Sequence, residues 1–455
     1  MNPAYLEDAS GFQGEADRLL IPASEAELQE VLREASASRT PVTLAGAGTG
    51  VAGGRVPQGG WVVSLEKFRR LEIEPDLQQA QAGAGILLKD LQAAAAKKNF
   101  FYAPDPTEQG ASVGGTIATN ASGSRGFRCG DTRRHVKSLR VVLMDGTART
   151  FHRGDKIDFH VDPIRRPNTT KNSCGFPLTP GMDWVDLFIG SEGTLAAVTE
   201  ATLHLVKTPK DLMGGVCFFP SEDSALQAVE DWRPVTRLRM LEYFDRGSLL
   251  LLREKYDEIP PEAHAALLIE QELEDDSELD AWVDRLEEAG AMTEQSWFAA
   301  GDSDRERFRR FRHALPEAVN STVRQRGLMK MGTDFAVPLD RSREMMAYYR
   351  KTLDPIFPGQ YVIFGHIGDA HVHVNVLPKD AQEADLAKAL ITKMAKQAVA
   401  LGGTVAAEHG LGKRKAHLLE IQYCRDEIEA MLRVKRHLDP QVLLGQGNLF
   451  GAIRF

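Results

Sequence analysis

The chain is poor in thiols, in excess basic charge and in long apolar runs, and each shortage closes off a class of function. Its four cysteines, Cys129, Cys174, Cys217 and Cys424, stand far apart with no Cys-x-x-Cys pair. That excludes an iron–sulfur cluster held by one local thiolate motif and fits a reducing cytoplasm. The net charge is −9, with acids and bases interspersed, whereas a nucleic-acid partner asks for a basic stripe. No apolar stretch reaches bilayer-spanning length. The first residues, Met1 to Asp8, lack the basic flank and apolar run of a secretory signal. A cytoplasmic protein is expected, at most peripheral to the inner membrane through a partner.

What the chain does have is glycine, gathered in clusters. There are 40 glycines in 455 residues, and that length implies two or three domains. The first cluster, Ala45-Gly46-Ala47-Gly48-Thr49-Gly50-Val51-Ala52-Gly53-Gly54, contains the dinucleotide pattern Gly48-x-Gly50-x-x-Gly53. That pattern names a nucleotide fold only where a helix starts at the loop. Here Pro57, Gly59 and Gly60 follow, and Trp61-Val62-Val63-Ser64-Leu65 opens a strand. A strand–loop–strand is predicted instead, whose amides form a nest for phosphate. A second cluster runs from Pro104-Asp105-Pro106-Thr107 through Ser112-Val113-Gly114-Gly115 to Thr119-Asn120. A third is Gly190-Ser191-Glu192-Gly193-Thr194, followed by Val198. Three such loops in one half point to a long polar ligand wrapped by backbone.

The patterning predicts strands at 19–21, 41–44, 61–65 and 141–144, a capped helix after Ser24, and a helix over 84–98. Lys207-Thr208-Pro209-Lys210-Asp211 reads as a linker. Beyond it, strands at 215–219, 265–269, 328–337 and 361–377 alternate with charged amphipathic helices, one of them over 270–290. This is a second, α+β unit. A helix is expected from Lys415 to Leu438.

Three of the twelve histidines fall in Phe364-Gly365-His366-Ile367-Gly368-Asp369-Ala370-His371-Val372-His373-Val374-Asn375. On a strand, His371 and His373 share a face. Further on stands Ala407-Glu408-His409-Gly410. Two imidazoles and a carboxylate with open positions form a recurring site for a divalent metal such as Zn, Mn or Fe. The charged stretch ending at Arg309, Arg310 and Arg312 reads as a solvated helix face that also offers a guanidinium.

The three glycine loops, in this order, resemble the FAD-binding domain of the vanillyl-alcohol-oxidase (PCMH-type) superfamily over residues 15–207. The His-x-Gly-Asp-x-x-x-His and Glu-His-Gly-x-Gly motifs resemble the FAD-linked oxidase C-terminal domain over 208–455. That group holds D-lactate dehydrogenases, glycolate oxidase large subunits and D-2-hydroxyglutarate dehydrogenases. The resemblance implies an α+β fold: a two-part FAD-binding domain, an antiparallel-sheet cap over 208–400 that binds substrate, and a segment, 401–455, returning to complete the site. It implies that Gly46, Ala47, Gly48, Thr49, Gly50, Gly53 and Gly54 hold the FAD pyrophosphate. Pro104, Asp105, Thr107, Gly114, Gly115, Thr119, Asn120, Glu192, Thr194 and Val198 would line the rest of the cofactor. FAD is expected to be non-covalent, because the glycine loop has no His; Cys129 is the one residue that keeps attachment open.

The resemblance further implies His366, His373 and Glu408 as metal ligands and His409 as catalytic base, with a pKa expected near neutrality. Arg312 would clamp the substrate carboxylate, and Asn375 would touch the substrate. The family commonly has Asn where His371 stands, so His371 is either an extra ligand or a neighbour of the ligands. Hydroxyglutarate enzymes carry a Lys at the position of Gly332, and the nearest Lys here is Lys330, which puts a diacid substrate in doubt. The tail also lacks the usual Asn-Pro before its last Gly. The implied activity is FAD-dependent oxidation of a small D-2-hydroxy acid. Its electrons would pass to a separate acceptor: an iron–sulfur subunit, an electron-transferring flavoprotein, a quinone or a cytochrome. A hydroxyglutarate-type dehydrogenase, a non-net-redox flavoenzyme like alkylglycerone-phosphate synthase, and a non-catalytic flavin subunit are the alternatives.

Overall fold

The computed structural model describes residues 2–275, 277–299 and 301–451, without the side chains of 302–305. The first half opens with a three-stranded parallel sheet in which Trp61–Ser64 lies between Arg18–Leu20 and Val42–Ala45. Helix Glu25–Ala37 crosses between the first two of these in sequence. The Ser24 hydroxyl accepts the Glu27 N–H at its start, and Leu28, Leu32 and Ala35 are buried along one face. The glycine cluster after Val42–Ala45 leads directly into Trp61–Ser64, so the loop joins two adjacent parallel strands without a helix. This is the predicted strand–loop–strand.

A five-stranded antiparallel sheet follows, in the spatial order Leu71–Glu74, Gln79–Gly83, Ala197–His204, Val136–Val142 and Ala148–His152. The helix expected from residue 84 begins only at Leu88. Ahead of it, the Ala84 N–H still pairs with the Thr199 carbonyl in sheet fashion.

The supposed linker is shorter than the sequence suggests. Val206–Lys207 pairs with Phe100–Phe101, and a strand begins at Asp211. The second half is one large, mainly antiparallel sheet. From its edge the order is Trp297–Ala299, Asp211–Phe219, Ala265–Leu273, Leu238–Asp245, Tyr361–Gly365 and His371–Val376. Met331–Gly332 and Phe335–Ala336 both pair with the last of these. The helix predicted over 270–290 is corrected at its start: strand Ala265–Leu273 runs on, and the helix is Ser277–Glu288, burying Trp282 and Leu286. Glu270 therefore sits in the sheet, where it meets Arg125 from the first half at 2.8 Å. Arg125 also reaches Asp105 at 2.5 Å, tying the two halves together.

The chain then returns to the first half. The expected helix Lys415–Leu438 is broken in two, Leu419–Gln422 and Arg425–Leu438. At the break the Glu427 carboxylate accepts the Cys424 N–H at 2.9 Å, a new helix start. Buried Lys435 donates to the carbonyls of Thr194 and Leu444 and pairs with Asp439. Val42 exchanges backbone hydrogen bonds with Leu443 and Gly445. The final segment thus completes the first half, as expected.

Candidate functional site

Two antiparallel strands and the turn between them supply the imidazoles. In the pairing of Tyr361–Gly365 with His371–Val376, Phe364 lies opposite His373. Alternation puts His371, His373 and Asn375 on one face. His366 ends the first strand just before the turn Ile367–Asp369. Gly365 must be glycine: its φ is +111°, and a Cβ there would lie 2.9 Å from the His373 ring. The three rings gather with centroids 4.7 to 5.4 Å apart.

Glu408 arrives from the Gly-rich turn after helix Ala381–Ala400. Its Oε1 lies 3.0 Å from His366 Nε2 and 3.4 Å from His373 Nε2. Its Oε2 is taken up by the Ser122 hydroxyl at 2.8 Å, the Gly123 N–H at 3.3 Å and the Lys171 ammonium at 3.1 Å. One carboxylate oxygen is therefore anchored in the first half while the other faces the histidines. Donor atoms of His366, His371, His373 and Glu408 all lie within 4.8 Å of one another.

A second layer of carboxylates fixes these groups. Glu242 accepts from His366 Nδ1 at 2.6 Å and from Arg312 Nε at 2.8 Å. Asp334 meets His371 Nε2 at 3.0 Å, and its other oxygen accepts the backbone N–H of His409 at 2.9 Å. Lys171 also faces Asp369 at 3.5 Å. Burial opposes ionisation of Glu408, but His366 and Lys171 outweigh it and hold the carboxyl well below its ordinary range. His366 is raised: burial works against its charge, while Glu242 and Glu408 favour it more strongly. Among the described residues, Glu242, Asp334, Asp369 and Glu408 are opposed through direct contacts by two permanent cations, Lys171 and Arg312. The excess negative charge suits a divalent ion. So does one orphaned buried atom, His371 Nδ1; the two amide atoms of Asn375 are likewise without a partner. The donor set fits such an ion.

His409 stacks on His373 at 5.2 Å. Its Nδ1 lies 3.4 Å from Asp334 and its Nε2 3.8 Å from Glu408. Burial pushes its pKa down to about 4, with Asp334 opposing and nearby Lys415 reinforcing the shift. This differs from the near-neutral value expected from sequence; the ring is set among buried groups, although 33% of its side chain still opens onto the cavity.

The cofactor candidates meet in a cavity of about 330 Å³ in the first half that ends at Glu408 and His409. Gly46, Ala47, Gly48, Thr49, Gly50, Gly54, Thr107, Gly114, Gly115, Thr119, Glu192 and Val198 line it. Gly114 passes so close to its neighbour that a Cβ would stand 2.7 Å from that of Ala84. Five candidates lie outside this lining. Gly53 backs onto Phe12, and Pro104 is buried behind the loop. Asp105 turns to Arg125. Asn120 binds Asp131 and the Arg133 N–H, and Thr194 bonds the Ser191 carbonyl. Cys129 does not line the cavity either, and burial raises its thiol. Glu192 does more than line the wall: its carboxylate accepts the N–H groups of Leu411 at 2.7 Å and Gly412 at 2.6 Å, fastening the turn that carries His409.

Arg312 lines a second cavity, of about 470 Å³. It bonds Thr107, which lines both cavities, at 3.1 Å. Arg309 instead pairs with Glu306 on the exposed helix surface. Lys330 runs beside Gly332, its Cε 3.6 Å from where a Cβ there would stand; that Cβ would lie 2.7 Å from Asn375. Burial, with Lys415 and Arg414, pushes Lys330 down to about 8.

Sequence reasoning missed Glu242 and Lys171. The first had a signal, since it is a charge in a strand, Leu238–Asp245, that is buried along its whole length. Lys171, in an irregular loop, had none.

Residues 16–152 match the family described as FAD binding domain, and residues 208–449 match FAD linked oxidases, C-terminal domain. The chain is 31% identical to the glycolate oxidase subunit GlcD of Bacillus subtilis, covering 96% of this chain and 90% of that one. It is 31% identical to a D-lactate dehydrogenase of Archaeoglobus fulgidus, with 94% and 90% covered. A D-2-hydroxyglutarate dehydrogenase of Xanthomonas citri is also 31% identical, with 95% and 89% covered. Among solved structures, an alkyldihydroxyacetonephosphate synthase superposes with a TM-score of 0.69 at 16% identity, covering 94% of this chain and 76% of its own. That likeness speaks to the fold alone. Among the described residues, no helix is long and apolar enough to cross a membrane.

Proposed function

The chain belongs to the FAD-linked oxidases, and from that premise we propose that it oxidises a small 2-hydroxy acid, D-lactate-like or glycolate, to the 2-oxo acid. The observation that carries this reading is the meeting of His366, His373, Glu408 and His409 at the end of the candidate cofactor cavity.

Non-covalent FAD, when bound, supplies the acceptor for the hydride that leaves C2 of the substrate. A divalent ion held by His366, His373 and Glu408, when bound, supplies the Lewis acidity that orients and acidifies the 2-hydroxyl. The remaining work belongs to side chains. Arg312, already braced by Glu242 and Thr107, receives the substrate carboxylate through its guanidinium, a geometry suited to paired hydrogen bonds. His409 faces Asp334 through Nδ1 and takes the hydroxyl proton at Nε2. Its depressed pKa keeps it neutral, and so able to accept, throughout the physiological range. Asn375 offers an amide to the substrate, and Lys330 stands beside it. The chain has no local thiolate cluster motif, so electrons leave to a separate acceptor.

The test is anaerobic bleaching of the flavin by a panel of D- and L-2-hydroxy acids, in the wild type and in His409→Ala. The variant should reduce flavin ~10²–10⁴-fold more slowly. An unchanged rate in the variant would remove the base assignment, and a flavin left oxidised by every acid in the panel would remove the activity.

A further inference from the structure

We infer that His371 is a fourth ligand, so that the cation site is built of three imidazoles and one carboxylate. This rests on the metal site proposed above and adds a donor to it.

The argument begins with the two nitrogens of one ring. His371 Nε2 lies 3.0 Å from the Asp334 carboxylate, which is wholly buried and accepts a hydrogen bond there. That bond fixes the tautomer and leaves the lone pair on Nδ1. Nδ1 is itself buried and has no hydrogen-bond partner. Yet the ring offers a donor within 4.8 Å of donors from His366, His373 and Glu408. An imidazole held by a carboxylate on one nitrogen, with the other left unpaired in a ring that stands among ligands, is the arrangement by which proteins aim a histidine at a metal. The residue is wholly enclosed, with a fractional exposure of 0%, so bulk water does not account for the unpaired atom.

The strand makes the arrangement possible. His371 and His373 are two positions apart on His371–Val376, their ring centroids 4.7 Å from each other. His366 closes over them from the end of the neighbouring strand. Glu408 completes the set with one oxygen, because Ser122, Gly123 and Lys171 hold the other. Three imidazoles select a first-row transition ion over Mg²⁺ or Ca²⁺, which prefer oxygen. A four-donor set also holds its ion before substrate arrives, whereas three donors leave more of the coordination to substrate or water.

The experiment adds Co²⁺ to chelator-stripped flavoprotein and reads affinity, visible absorption and the imidazole count by X-ray absorption. The wild type should show three imidazoles and the intense absorption of four-coordinate Co²⁺. His371→Gln retains an amide N–H for Asp334 but lacks the inward donor; it should bind Co²⁺ at least ~10-fold more weakly with one imidazole fewer. Retained flavin will show that the variant is folded. Two imidazoles in the wild type would overturn the inference, and that count needs no variant at all. Equal affinity in His371→Gln would overturn it too. A wild type that takes up no Co²⁺ would instead remove the metal site itself.

Discussion

The two halves of the molecule build their shares of the site from different material. The first half offers backbone: the residues lining its cavity are mostly glycine, alanine, serine and threonine, brought close by tight turns. The second half offers side chains, histidines and a half-buried arginine held by carboxylates that are themselves buried. The difference follows from the tasks. A long cofactor is gripped by many weak, evenly spaced amides, and room for them comes from small residues. A reacting centre needs a few charges fixed in a dry place, and each must be oriented by a partner. The halves should therefore fail differently when altered: the first through space, the second through charge.

The largest effect should come from charge. Lys171 is lent by the first half to the charged site; it is 2% exposed and is shared by Glu408 and Asp369. Lys171→Met strands both carboxylates and should cost ~3–5 kcal/mol, as broken buried pairs do, measured by urea unfolding of the flavoprotein. A loss under ~1 kcal/mol, the range of surface pairs, would say that these charges are solvated and that the site where the halves meet is not the dry one described. A smaller effect should come from space. Gly114→Val forces a side chain into Ala84 and should cost ~1–3 kcal/mol, with FAD affinity falling alongside. Retention of wild-type FAD affinity by that variant would break the contrast from the other side.

How much of this was legible in the sequence follows the same division. Gly46 to Gly54 and His366 to Asn375 announce themselves, because backbone approach demands glycine and strand alternation puts His371 and His373 together. The strand–loop–strand was readable from Pro57 and Trp61 alone. Lys171 was not, and Glu242 showed only as a charge in an apolar strand, since each is placed by partners far along the chain, His366 and Arg312 for Glu242, Glu408 and Asp369 for Lys171. The break at Cys424 was hidden because the apolar periodicity continues on both sides, and only the Glu427 cap interrupts it. Asn120 and Asp105 fit a cofactor motif by spacing, but in the fold they serve Asp131 and Arg125.

The smallest expected effect is a pH slope. His409 is held at about 4 in the folded chain, against ~6.5 for a free imidazole. Between these values the unfolded chain binds more protons, so stability should be full above pH ~6.5 and decline as pH falls toward 4. His409→Gln should flatten that part of the curve. An unchanged slope would mean that its surroundings do not disfavour the charged imidazole.

The central claim is that a cation at the imidazoles and the flavin beside them act on one substrate. Single-turnover flavin reduction by D-lactate, before and after removal of metal by a chelator, tests it most directly. Loss of fast bleaching on chelation, with recovery on adding back Zn²⁺, Mn²⁺ or Fe²⁺ under anaerobic conditions, is the predicted result. Bleaching at an undiminished rate in protein shown to be free of metal would contradict the account.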